Sequence, residues 1–244
     1  MELCLYHLYP DLMSLYGSYA NLSVLCRLLG RLGHTVTVVP VALGAKADLT
    51  EADLLYMGAG TERARDAALS DILRFREPLR AAFANGVPML FVGTALELCG
   101  RELIGPDGDR REGLGLADFT VTEGRRRIVG DVLADTALYD GPVVGYMNKC
   151  TILTGVTAPL LTACRMGFGN AAAGDAEGWH ENRAFGSELT GPLLVKNPGM
   201  LHAVAGAILA YRELSLPDEW PDDGYALQGY AVTADQLQKR LTDD

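Results

Sequence analysis

PMLFVGTALELCGREL, Pro88–Leu103, reads as an apolar strand, a sharp turn at Gly93 and a helix. Met89 to Val92 carry no polar side chain, as suits a strand buried on both faces of a parallel sheet. Three strand-like segments precede it: residues 2–9, the β-branched HTVTVVPV of 34–41, and DLLYMG of 53–58, which runs into Gly58-Ala59-Gly60. Between them the apolar period lengthens. Leu22, Leu25, Cys26, Leu29 and Leu32 form one stripe of a helix capped by Ser18 and ending near Gly33, and a long amphipathic helix is predicted over 62–85. Strand alternating with helix predicts an α/β fold, a mostly parallel central sheet with helices on both faces. Such sheets bind ligands at the C-terminal ends of their strands. The Gly58–Gly60 turn and the Gly93 turn both fall there.

Beyond residue 105 the texture changes. GPDGDRREGLGLADF is rich in turns, ADFTVTE and RRIVGDVLA read as two strands of a hairpin-like excursion, and VVGYMNKC (143–150) and APLLTAC (158–164) as short strands. An apolar helix is predicted over about 199–213. The best division is one domain, 1–214, with an acidic extension, 215–244, holding Pro217, Pro221 and a weak helix at 234–241.

Of the 244 residues, 49% are hydrophobic and 21% charged, which supports a packed core and argues against disorder. The net charge of −10 argues against nucleic acid or an anionic membrane as partner, with Arg125-Arg126-Arg127 the one basic cluster. MELCLYHLYP lacks the basic start of a signal peptide, and no run approaches the roughly 18 apolar residues of a spanning helix. Cys4, Cys26, Cys99, Cys150 and Cys164 are odd in number and form no CxxC pair, so reduced thiols in a cytoplasmic protein are expected. GLGLADF lacks the strand–GxGxxG–helix context, no P-loop exists, and no His/Cys/Asp cluster has metal spacing, so neither cofactor nor metal is expected.

A strand-to-helix elbow holds its central residue at left-handed backbone angles over a helix N-terminus, where a serine or cysteine becomes a nucleophile. Glycine adopts the same angles without strain and has no reactive atom. The segment by itself also fits an ordinary strand–helix junction.

Further motifs accompany it in a fixed order: LYHLYPDLMSLYGSYANL at 5–22, YMGAGTER at 56–63, VPMLFVG at 87–93, the glycine-rich 105–119, RIVGD at 127–131, VVGYMN at 143–148, GFGN at 167–170 and EGWHENRAFGSELTGPLLVKNP at 177–198. Over roughly residues 3–213 the chain resembles the class I glutamine amidotransferases of the cobyric-acid-synthase-like group, and within it the amidotransferase subunits of lipid II isoglutaminyl synthases. The resemblance implies a flavodoxin-like three-layer sandwich and a glutaminase site. In that site an elbow cysteine attacks the amide, a histidine in an L-H-G-P segment serves as base and acid, and backbone N–H groups hold the oxyanion. It also implies a Mur-ligase-like partner subunit that receives the ammonia.

The chain departs from this pattern where chemistry would occur. The family's C-G-G elbow is Gly93-Thr94-Ala95, its histidine position is Thr190 in LTGP, and Lys149 replaces a family histidine in MNKC. The oxyanion loop survives in part as Gly58, Ala59 and Gly60, with Thr94 beside it, and Arg127 stands where the family places an arginine near the substrate pocket. Cys150, next to Lys149, is the candidate replacement thiol, because a neighbouring cation lowers a thiol pKa. Cys99 and His180 read as packing residues, and Glu97 as a helix cap or a solvent-facing side chain.

Three functions follow, in order of preference. The first is a catalytically degenerate amidotransferase-like subunit, with no catalytic residue of its own, bound to a Mur-ligase-like partner in a cytoplasmic heterodimer for cell-wall precursor amidation. The second is an active glutaminase using displaced groups. The third is a sensor that binds glutamine or a related amino acid.

Overall fold

The computed structural model describes residues 1–221 and 223–243. In chain order the elements are β1 (Glu2–Leu8), α1 (Ala20–Arg31), β2 (Thr35–Val41), β3 (Leu54–Met57), α2 (Glu62–Ile72), α3 (Arg76–Ala84), β4 (Met89–Val92), β5 (Glu102–Ile104), β6 (Arg110–Glu112), β7 (Thr120–Asp135), β8 (Val143–Thr154), β9 (Ala163–Met166), β10 (Trp179–Glu181), β11 (Ala184–Ser187), β12 (Leu189–Thr190), α4 (Leu193–Lys196), α5 (Pro198–Tyr211) and α6 (Gly224–Asp243). The central sheet has the order β10-β11-β4-β3-β1-β2 and is parallel throughout except for β10 against β11. This is the α/β, flavodoxin-like sandwich with a mostly parallel central sheet that the sequence predicts.

The period-two rule shows how the apolar strands are used. Leu55 and Met57 of β3, and Met89 and Phe91 of β4, pack with Ala68, Leu69 and Ile72 of α2 and Leu79 of α3. Their neighbours Leu54 and Tyr56, Leu90 and Val92 face the other way, onto Leu25 and Leu29 of α1 and Val204 and Ile208 of α5. Each strand is therefore apolar throughout because each of its faces has a helical layer to cover it. Pro40, which cannot donate a ladder hydrogen bond, lies on β2, where only β1 is a neighbour.

Several boundaries differ from the sequence expectation. The helix predicted over 62–85 is two helices separated by a 3-10 turn at Leu73–Phe75. Pro78 sits in the first turn of α3, where an N–H has no intrahelical partner to lose. Ser18 does not cap α1; its hydroxyl turns inward and accepts from the Ala59 N–H at 3.3 Å. The two strands of the expected excursion are one, β7, whose pairing with β8 shifts between Glu123 and Ile128. The extra residues there, Gly124 to Arg127, form a bulge. β7 and β8 belong to a second sheet, β12-β8-β7-β5-β6, with β9 added on β7. Residues Val132, Val143 and Met147 of this sheet join the α1/α5 side of the core.

The final helix is longer than predicted and is seated on the second sheet. Leu237 packs against Leu133 and Val144, the Tyr230 hydroxyl donates to Pro142 O at 2.7 Å, and Arg240 pairs with Asp131 at 2.5 Å. Among the described residues no helix is long and apolar enough to cross a membrane, and no group of three His, Cys, Asp or Glu side chains is placed to hold a metal ion. Leu237→Ala removes the one buried side chain of α6 in this small cluster. It is expected to cost about 2 kcal/mol and to speed amide exchange in α6 while the central sheet stays protected, as hydrogen-exchange mass spectrometry would read.

Candidate functional site

A cavity of about 200 Å³ opens at the C-terminal ends of β3 and β4. Its wall includes Ala59 and Gly60 after β3, Gly93 and Thr94 after β4, Thr61 and Glu62 at the start of α2, Arg127 and Asn148 from the second sheet, Thr190 of β12, and Tyr16. Gly93, Thr94, Ala59, Gly60, Arg127 and Thr190, which the sequence singles out from four separate segments, thus meet in one cavity. Gly58 lies behind this wall. A side chain on it would run into Met13 O and the Ser18 hydroxyl, so its glycine serves close packing of the loop at 9–19.

The turn after β4 has the backbone of an elbow. Gly93 sits at φ +64, and the segment Gly93–Leu98 is a 3-10 helix. An added Cβ at Gly93 would stand 2.6 Å from the Ala59 Cβ and 3.2 Å from its Cα. The Ala59 methyl therefore fills the space that any elbow side chain would need. The N–H groups of the facing loop are also engaged. Gly60 N–H donates to Thr94 Oγ1 at 2.9 Å, and Thr94 Oγ1 donates back to Gly60 O at 3.1 Å. Ala59 N–H is taken by Ser18. At the opposite wall Thr190 donates to Tyr146 O at 3.0 Å and offers no basic atom.

The cavity mouth is polar. Arg127, 44% exposed, donates to Glu62 and, at 3.0 Å, to Asn148 Oδ1, while Asn148 Nδ2 donates to the Tyr16 hydroxyl at 2.8 Å. Tyr16 holds a left-handed φ of +58, an uncommon conformation for a bulky residue and a cost of order 1 kcal/mol. Glu62 lies in the first turn of α2, where the helix dipole favours a carboxylate. Burial raises its pKa, but its hydrogen bonds, Arg127's among them, outweigh this and the net shift is downward.

Two sequence expectations are corrected here. Cys150 does not gain acidity from Lys149. Adjacent residues on a strand face opposite ways, and the Cys150 thiol donates to Glu62 at 3.4 Å. Burial, followed by the charge of Glu62, pushes the thiol up to about 12, so it is held protonated and is not an activated nucleophile. Glu97 neither caps a helix nor faces solvent. It is 2% exposed, ion-paired to the buried Arg65, and lines the cavity floor.

Cys99 and His180 pack as expected. Cys99 is fully buried, and the His180 ring packs tilted at 31° against Phe185, centroids 4.5 Å apart, with Nδ1 at 2.9 Å from Ala184 O.

Sequence reasoning missed the rest of the floor. Arg65 also pairs with Glu123 at 2.7 Å. Lys149 pairs with Glu188 and donates to Gly169 O at 2.9 Å and Asn170 O at 3.4 Å. Thr151 lies between Glu97 and Glu188. The sequence signal that could have reached Glu62 is its place after Thr61, a capping residue directly after the Gly58–Gly60 turn.

Residues 5–198 match the CobB/CobQ-like glutamine amidotransferase domain. The chain belongs to this family. Among curated relatives of these amidotransferase domains, the chain is 29% identical over 196 residues to the lipid II isoglutaminyl synthase (glutamine-hydrolyzing) subunit GatD of Staphylococcus aureus, covering 80% of each. It is 28% identical over 211 residues to the protein of the same name from Streptococcus pneumoniae, covering 85% of this chain and 81% of that one. Two solved structures share the fold. PurLQS from Thermotoga maritima aligns with TM-score 0.54 and 13% identity over 87% of this chain and all of that one. A crystal structure titled glutamine amidotransferase aligns with TM-score 0.52 and 14% identity over 83% of this chain and 99% of that one.

The overlap of Ala59 with a Cβ at Gly93 predicts an order of effects. Gly93→Cys should destabilise by about 1–3 kcal/mol, and adding Ala59→Gly should recover the packing part of that loss but not the left-handed strain at φ +64, as paired urea melts would measure. For Cys150, removing the Glu62 charge lowers the thiol pKa. Glu62→Gln should therefore speed alkylation of Cys150 by iodoacetamide at pH 8, read by peptide mass spectrometry.

Proposed function

We propose that this chain is a catalytically degenerate amidotransferase-like subunit that binds a Mur-ligase-like partner in amidation of a cell-wall precursor, in the cytoplasm. The observation that carries the proposal is the closed elbow. A glutaminase of this family needs a nucleophile above the turn, a base opposite it and free N–H donors for the oxyanion. Here the turn residue is glycine at φ +64, the Ala59 methyl occupies the side-chain space, and Thr94 takes the Gly60 N–H. Thr190 spends its proton on Tyr146 O. Loss of a nucleophile alone costs on the order of 10⁴ to 10⁶ in rate.

The choice of partner rests on likeness. Both curated relatives are named as subunits of a lipid II isoglutaminyl synthase. In the proposed complex this chain supplies a folded surface rather than ammonia. We further propose that residues 215–244 are an extension of the family domain, laid over the second sheet by α6.

The test is glutamate release from glutamine by the chain purified from its own cells with whatever protein accompanies it. The expected result is no release above background, with a Mur-ligase-like protein in the complex. Release that survives further purification, or a chain that purifies alone, would overturn the proposal. Ala59→Gly/Gly93→Cys/Thr190→His is expected to bring back a measurable rate where Gly93→Cys alone does not.

A further inference from the structure

Five side chains form an unbroken line under the cavity. Arg65 Nη1 pairs with Glu97 Oε2, and Glu97 Oε1 lies 3.0 Å from Thr151 Oγ1. Thr151 Oγ1 lies 2.8 Å from Glu188 Oε1, and Glu188 Oε2 pairs with Lys149 Nζ. All five are buried. A threonine hydroxyl has one proton and can donate one hydrogen bond. It cannot donate to both carboxylates. The second contact needs a proton from the carboxyl side, and only a carboxylic acid O–H can supply it.

Counting the neighbours gives the same answer. Lys149 uses its donors on Glu188, Gly169 O and Asn170 O, as a charged ammonium would. Glu177, also fully buried, accepts from Ser187 Oγ at 2.9 Å and from Glu188 N–H at 2.6 Å; burial raises its pKa, but each of its oxygens has a donor, as a carboxylate needs. Three fully buried carboxyls then face two buried cations, and one proton is required to avoid an unpaired charge. Glu123 and Asp66, which also pair with Arg65, are partly exposed and stay in contact with water. On the cavity side Glu62 is matched by Arg127, and Cys150 is a neutral thiol.

We propose that Glu97 and Glu188 form a proton-binding site, a carboxyl pair that shares one proton through Thr151 on the cavity floor. The site goes beyond the proposed function and does not depend on a partner. Burial, opposed by Arg65 and reinforced by Glu188, pushes Glu97 up to about 7 from 4.5, and burial likewise raises Glu188. For Glu97 that is roughly a 300-fold gain in proton affinity over the unfolded chain. The sign follows from linkage. The folded state holds the extra proton, so its stabilising effect is complete below pH 4.5 and is lost as pH rises through about 7.

Difference infrared spectroscopy of the whole chain, with and without ¹³C-labelled glutamate, tests the site directly. At pH 6 the wild type should show the C=O stretch of a protonated glutamic acid, shifted by the label and fading as pH rises through about 7. Thr151→Ser keeps the hydroxyl and should keep the band. Glu97→Gln and Glu188→Gln should each remove it and flatten the fall in melting temperature between pH 5 and 7. No such band in the wild type would overturn the proposal. A band that persists in both glutamine variants would do so too, since the proton would then reside on Glu177.

Discussion

The buried line from Arg65 to Lys149 ties together parts of the chain that lie far apart in sequence. Arg65 comes from α2, Glu97 from the 3-10 turn after β4, Thr151 and Lys149 from β8, and Glu188 from the junction of β11 and β12. β4 and β11 belong to the central sheet, and β8 and β12 to the second. The ionic line is therefore the polar seam between the two sheets. Removing one member of a buried pair leaves an uncompensated charge, typically at a cost of about 3–5 kcal/mol. A seam of this kind fixes where the second sheet sits, and hence the shape of the cavity above it.

That cavity stands at the strand ends where parallel sheets bind ligands, with glycine at its elbow and threonine at position 190. Its position follows from topology, since parallel strands deliver their loops to one edge. Its chemistry follows from local substitutions. A methyl group stands where an elbow side chain would go, and a hydroxyl occupies the N–H that would otherwise await charge. Each feature is small and each satisfies a local packing or hydrogen-bond requirement. The loop is thus stable without a ligand, whereas a working oxyanion site keeps donors waiting for charge that develops only during reaction.

The fold was legible because its information is local. Runs such as MLFV at 89–92 carry the signature of a doubly covered strand, and the α1 stripe survives with Leu22, Leu25 and Leu29 buried. The wall of the cavity was also legible, since strand-end glycines and the elbow are sequence motifs. The β7 strand was split because Gly124 to Arg127 interrupt its apolar pattern, yet a bulge lets one strand carry such an interruption. The floor was illegible for a different reason. Glu97 lies 32 residues from Arg65 and 54 from Thr151, so nothing near it in the chain signals that it has partners. An isolated glutamate reads as solvent-facing because buried carboxylates are rare without partners. Lys149 misled in the same way: its sequence neighbour is Cys150, but its structural neighbour is Glu188, on the opposite face of β8.

The close approach of Ala59 to Gly93 also bears on history. If a side chain once occupied the elbow, the methyl at 59 could enter without strain only after that side chain had left. A lone substitution at 93 meets the Ala59 methyl, a contact that a glycine at 59 would not make. The two positions act as a pawl and a wheel. A side chain at 93 and a methyl at 59 exclude one another, so a change at either position is felt at the other through packing alone.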